Sequence, residues 1–466
     1  MQKKLIAILG VAIIAIVVIA AFVAAGQFAS VPSTDARPIK IGLVACLQRP
    51  EGDDMSRAAE LAVKEINDGG GIYVSQWHTK VQVELVVADT KDDSSTNSVE
   101  PVKRAITQDN VDLLIGGYAS AGTLANEVVA MDNRVPYIIT GASTTLITRR
   151  GPQGNYSGLP ANDPKRTEDA EGMSYMFHYC VTTYEYSKTV LNFLNSTMKP
   201  TLDSTYGFEA SRPLRLAIIY RNDAFGQGVL ADSKTIIASN NLPITIVAER
   251  GYTTTTTTFQ TDLGVIKEAK PDAVYVVDFI ANTAEIYKEA QRDVGLNTTL
   301  IAVECCDDPQ FYKLIGNYGN GMMIESQFGP YAEPSYMQSI QTYSASYSAM
   351  HNKAPGFMGA STYDAFYIAK DAIERAGTVD KAAVREAIET CNLNQLLMMT
   401  QTGKIEFSTG TNYHEVQIVT FMEQLTYKPD LSECRNKIVY PDTTSVVGTL
   451  KQAEFKLPDG YQPGSP

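Results

Sequence analysis

Short apolar runs alternate along the chain with longer segments whose apolar residues recur every three or four positions. Runs of the first kind predict buried strands, and segments of the second kind predict amphipathic helices. Ile39 to Ala45 reads as a strand. Asp54 to Asp68 reads as a helix with Met55, Ala58, Ala59, Ala62 and Ile66 on one side. Gly69, Gly70 and Gly71 stop that helix. Val81 to Ala88, ending on Asp89, is the next strand, and Ser94 to Asp109 the next helix. Val111 to Ile115 and Val135 to Ile139 are two further apolar runs. Such a strand-helix series builds a doubly wound α/β sheet.

The alternation breaks at Gly151 to Glu171 and at Ser196 to Ser211, two irregular insertions around a helix from Tyr184 to Leu194. It then restarts. Leu214 to Tyr220, Ile244 to Glu249, Ala273 to Val277 and Thr299 to Val303 read as strands. Gly226 to Asn240, Thr261 to Ala269 and Thr283 to Val294 read as helices, which implies a second sheet of similar design. Tyr336 to Met350, Tyr363 to Ala376 and Lys381 to Thr390 are helical. Gln401 to Phe407 and Val416 to Met422 predict a hairpin through Gly410, and the tail from Asp459 reads as disordered.

Composition adds three constraints. At 466 residues the chain is long for one core, so two domains are expected. Its net charge of -13 argues against a nucleic-acid partner, which needs a basic face. Lys3 and Lys4 precede an uncharged run from Leu5 to Gly26, longer than a signal-peptide core and long enough for a membrane helix of about 20 residues. Residues 1–26 therefore predict an uncleaved anchor and 27–37 a tether, with the bulk of the chain on the extracellular face. The sequons at Asn155, Asn195 and Asn297 fit that placement. Six cysteines allow disulfides in an exported protein, and Cys391 with Cys434 is the expected pair. Without a C-x-x-C, and with scattered histidines, the chain implies no metal and no cofactor.

The candidate chemistry lies where strands end. Gly116 and Gly117 close one apolar run before Tyr118 and Ser120, and Thr140, Gly141, Ser143 and Thr144 close the next. Open α/β sheets bind ligands at such carboxyl ends. Ser120 either holds an anion with the N–H groups near Gly122 and Thr123 or caps the helix that starts there. Gly117 to Gly122 is not a nucleophile elbow, no Walker lysine follows a glycine turn, and no histidine lies in these turns. An exported hydrolase would need a nucleophile with a positioned base, which these turns lack.

The strings IKIGLVA, AAELAVKEINDGGGI, IGGYASAGT, IITGASTTL, RNDAFGQGV, EAQRDVGLNTTLIAVE, TYDAFYIAKDAIERAG and the late IVYP occur in that order. In this the chain resembles the solute-binding proteins of branched-chain amino acid and amide ABC transporters, the type I periplasmic-binding fold. The resemblance spans roughly residues 38–445. It implies two Rossmann-like lobes joined by three crossings, with 38–181 and 328–404 in the first, 182–327 and 405–445 in the second, and a tail at 446–466. It implies that Ser120 and Ser143 hold a ligand carboxylate, while the Gly141 carbonyl and Glu304 receive an ammonium. Phe225 takes the place of the usual aromatic, Phe279 or Ile280 falls where another sits, and Asp278 replaces a small residue. Tyr118 either supports its turn or touches the ligand. The loop CLQRPEGDD lacks the usual S-G-P, and Cys305 and Cys306 follow Glu304. The implied function is capture of a small amino-acid-like or amide-like solute and delivery to an ABC permease. The alternative is the ligand-sensing module of a receptor system.

Overall fold

The computed structural model describes residues 35–92, 94–154, 163, 166–329, 337–410 and 412–464. Strands β1 (Ile39–Ala45), β2 (Val83–Asp89), β3 (Leu113–Gly116), β4 (Tyr137–Ile139) and β5 (Met176–His178) form a parallel sheet in the order β2-β1-β3-β4-β5. Helices α1 (Pro50–Asp68), α2 (Val99–Thr107) and α3 (Ser120–Asp132) link them. Ile41, Leu43, Leu113, Ile115 and Ile138 are wholly buried, as strands covered on both faces require. Gly116 and Gly117 have φ of 116° and 81°, which lets the chain fold sharply over the sheet into α3. A Cβ on Gly116 would stand 2.3 Å from the Val44 carbonyl oxygen.

The second sheet contains β6 (Leu214–Arg221), β7 (Ile244–Tyr252), β8 (Ala273–Val277), β9 (Thr299–Ala302), β10 (Met323–Ser326), β11 (Phe421–Lys428) and β12 (Glu433–Tyr440). Their order is β12-β11-β10-β9-β8-β6-β7, with β11 antiparallel to both its neighbours and the other strands parallel to one another. Helices α4 (Thr183–Phe193), α5 (Ala224–Ser239), α6 (Gln260–Glu268), α7 (Ile280–Glu289) and α8 (Pro309–Ile315) belong to this half. The helices α9 (Gln338–His351) and α10 (Phe357–Ala376) return to pack on α1, and α11 (Lys381–Glu389) packs on α10. The chain thus passes from the first sheet to the second after β5, back after β10, and across again before β11.

Four expectations change. The hairpin expected around Gly410 is replaced by one between β11 and β12, while Lys404–Ile405 pairs with Leu393–Asn394. Buried Glu423 and Asn436, hydrogen-bonded to each other, interrupt the apolar pattern of β11 and β12 and hid them. Within 196–211 the chain is helical over Lys199–Tyr206, anchored by buried Leu202. The tail packs on the second sheet: the Tyr461 hydroxyl donates to the Asp272 carbonyl at 2.9 Å, and the Gly464 N–H to the Asp272 carboxylate at 2.8 Å. Cys391 and Cys434 are separate buried thiols. Cys391 follows α11 on the first half, whereas Cys434 on β12 donates to the Gly316 carbonyl, 3.2 Å away in the second.

Among the described residues no helix is long and apolar enough to cross a membrane. The run from Leu5 to Gly26 and the sequon at Asn155 lie outside the described residues.

Candidate functional site

In each sheet the strand order reverses at one point, between β1 and β3 in the first and between β6 and β8 in the second. Loops diverge there and leave a crevice at the strand ends. The two crevices face each other. Tyr118, after β3, sets its ring 4.6 Å from that of Phe279, after β8. Phe225, at the start of α5, stacks on Phe279 at 5.8 Å. The guanidinium of Arg221 lies 3.9 Å from the Phe279 ring centre and that of Arg49 lies 5.4 Å away. Cation–π contacts of this kind contribute about 0.5–2 kcal/mol, most when desolvated.

Asp278, one of the expected ligand contacts, is held in a network of donors. Its oxygens accept from Arg221 at 3.0 Å, the Tyr252 hydroxyl at 2.7 Å, the Phe279 N–H at 2.7 Å and Asn282 at 2.8 Å. Its job is to hold Arg221 against Phe279. Ile280 is wholly buried and offers its backbone, donating to the Glu51 carboxylate at 3.2 Å. Glu51 is 2% exposed and sits at the N-terminus of α7, where free N–H groups favour a negative charge. Burial raises its pKa, and hydrogen bonds from Ile280 and Tyr118 pull it back down. Sequence reasoning missed Glu51. The signal was the loop CLQRPEGDD, whose missing S-G-P marked it as unusual.

The hydroxyl turns of the first half are joined to each other. Ser120 is the first residue of α3, but the cap position is Ala119 and no side chain caps that helix. The Ser120 Oγ accepts from the Thr144 N–H at 3.3 Å instead, while the Ser143 carbonyl accepts from Thr183 at 2.8 Å. Both serines are buried.

Gly141 and Glu304 come from different halves and are connected through two side chains. The Cys180 thiol donates to the Gly141 carbonyl at 3.5 Å and lies 3.6 Å from the Tyr186 hydroxyl, which hydrogen-bonds Glu304. Glu304 opens a single turn after β9 and is 2% exposed. Burial pushes its pKa up to about 8, and Tyr186 limits the rise. His178, absent from the sequence reading of the site, contacts the Ala142 carbonyl through Nε2 at 2.6 Å, and burial keeps it neutral. Burial also raises the Cys180 pKa, so the thiol stays protonated and is no nucleophile. Cys305 and Cys306 both point at the Asp278 carbonyl. Among the described residues no group of histidine, cysteine or acidic side chains is arranged to hold a metal ion. Hydroxyls, carbonyls and carboxylates in such a cleft suit the binding of a small polar molecule.

A family described as periplasmic binding protein matches residues 38–423. A Leu/Ile/Val-binding protein homolog from Brucella abortus is 24% identical over 277 residues, covering 59% of this chain and 60% of that protein. The chain thus spans less than two thirds of the length of the curated relatives it matches first. Among solved structures, the branched-chain amino acid binding protein LivJ of Streptococcus pneumoniae, in complex with isoleucine, has a TM-score of 0.66 at 18% identity, covering 87% of this chain and all of that one. A solute-binding protein of an ABC transporter from Rhodopseudomonas palustris, in complex with 3,4-dihydroxybenzoic acid, has a TM-score of 0.65 at 18% identity, covering 86% and 96%. These likenesses show the two-lobed α/β fold.

Proposed function

We propose, because this chain belongs to the periplasmic binding protein family, that it captures a small amino-acid-like or amide-like solute between its lobes and delivers it to an ABC permease. Members of this family bind solutes and are not enzymes. The observation that carries the reading is the link from the Gly141 carbonyl through Cys180 and Tyr186 to Glu304. It supports a site in which the Gly141 carbonyl of one half and the Glu304 carboxylate of the other serve the same ligand, with Ser120 and Ser143 beside Gly141. A zwitterion leaving water needs both charges matched, and this division of donors and acceptors supplies the match.

The lobes are read as 38–181 with 328–404 and 182–327 with 405–445, and the swap of the chain between sheets supports that division. Leu5 to Gly26 is read as the anchor that keeps the protein at the extracellular face of the membrane. Recovery of soluble protein with a mature N-terminus between Gln27 and Asp35 would overturn the anchor.

The central test is a thermal-shift screen against amino acids, amides and aromatic carboxylates, followed by titration calorimetry. A ligand at about one hundred times its Kd stabilises the folded state by about 2.7 kcal/mol. A screen in which no amino acid or amide shifts the melting temperature sinks the proposal.

A further inference from the structure

Behind Glu304, between the second sheet and α4, lies a set of polar groups that a simple amino acid does not use. Glu325 on β10, Gln327 just beyond it and Tyr275 on β8 are at most 1% exposed. No side chain among the described residues hydrogen-bonds the Glu325 oxygens, the Tyr275 hydroxyl or Glu304 Oε2. The Gln327 carboxamide is wholly buried beside the Cys180 thiol. These groups converge. Tyr275 pairs with Ile301 on β9 and Ile301 with Met323 on β10, so Tyr275 and Glu325 share one face of three neighbouring strands, the middle one leading into Glu304. The helix α4, which carries Tyr186, packs against β10.

Two buried carboxylates so placed need protons or cations. Burial, with the acids Glu304 and Asp307 nearby, raises the Glu325 pKa well above the ordinary carboxylate range against the pull of the Glu304 backbone N–H, and buried Glu423 is a further acid that feels its charge. A ligand with one ammonium satisfies one member of the Glu304–Glu325 pair and leaves the other holding a proton. A ligand with two cationic nitrogens lets both ionise. Tyr275 and Gln327 then accept the remaining N–H groups with their oxygens.

We propose that Glu325, with Tyr275 and Gln327, forms a subsite for a second cationic group, so that the solute is a basic amino acid and not an aliphatic one. This rests on the reading that the ligand's first ammonium sits at Glu304 and Gly141.

The test is titration calorimetry on the full-length chain near neutral pH with L-lysine, L-ornithine, L-arginine and L-norleucine, the last being lysine without its terminal amine. At least one basic amino acid should bind about tenfold or more tighter than norleucine. Repeated in two buffers of different ionisation enthalpy, its binding should release more protons than that of norleucine, because Glu325 gives up its proton. Glu325→Gln should bring the ratio of basic to neutral affinity close to one while norleucine still binds. Norleucine binding as tightly as all three basic amino acids, or a preference that survives Glu325→Gln, would overturn the subsite and leave the amine site at Glu304 standing. If no amino acid binds, basic or neutral, the amine site falls with it. Should Glu325→Gln not fold, the wild-type affinity ratio and proton count decide.

Discussion

The backbone N–H of Ile280 donates to the carboxylate of Glu51 at 3.2 Å, tying the first turn of α7 in one half to the first turn of α1 in the other. A hydrogen bond to a charged group contributes about 1.5–3 kcal/mol. Glu51→Ala should therefore shift the molecule toward an open arrangement. Small-angle X-ray scattering checks this as a larger radius of gyration in the absence of ligand. Identical scattering curves for variant and wild type would show that the contact is idle.

Asp278 and Arg221 form a buried ion pair at 3.0 Å. Removing one partner of such a pair costs about 3–5 kcal/mol, because the other charge stays buried. Asp278→Ala should lower stability by that order, softened by Asp223, which also pairs with Arg221. Urea unfolding measures it as a lower midpoint. A change under about 0.5 kcal/mol, ordinary for an exposed site, would return Asp278 to the list of ligand contacts.

Stability should fall as pH rises from about 5 to about 8. Burial raises the Glu304 pKa to about 8 and those of Asp364 and Asp307 to about 7. Unfolded carboxylates titrate near 4. Between these values the folded state holds more protons than the unfolded one, so raising the pH favours unfolding. The stabilisation is complete below the unfolded pKa and is lost as pH climbs through the folded values. Melting temperatures measured from pH 5 to about 9 test this, and Glu304→Gln should flatten the decline. A melting temperature that rises across this range would contradict it.

Glu304→Gln should weaken binding of an ammonium-bearing ligand by about a hundredfold, since each 1.4 kcal/mol is about tenfold and a buried charge loses its partner. Ser120→Ala should cost less, about 1–3 kcal/mol, because the N–H groups at the start of α3 remain. Calorimetry on both variants measures the pair. Wild-type affinity in Glu304→Gln would remove the amine from this position.

Much of the fold was legible in the sequence because its signals are local. Apolar runs such as Ile39 to Ala45 and Ala273 to Val277 match the observed strands end for end. Gly116 and Gly117 mark a turn because their backbone angles suit glycine and few other residues. The order of the strand-end motifs was enough to place the chain among solute-binding proteins. Other elements were hidden by chemistry that only packing explains. Glu423 and Asn436 look like surface residues until they are seen to satisfy each other in the core, and Tyr461 looked like part of a loose end.

The site divides in the same way. Ser120, Ser143, Gly141 and Glu304 are candidates the sequence offers, through strand-end turns and the family resemblance they carry. That Asp278 serves Arg221, that Glu51 reaches Ile280, and that Cys180 bridges Gly141 to Tyr186 was decided by the tertiary structure alone. Glu51 and Ile280 stand 229 positions apart. No local pattern records such a pairing. It exists because two separately folded sheets bring the ends of their strands face to face, and a buried carboxylate must then take whichever donors that meeting provides.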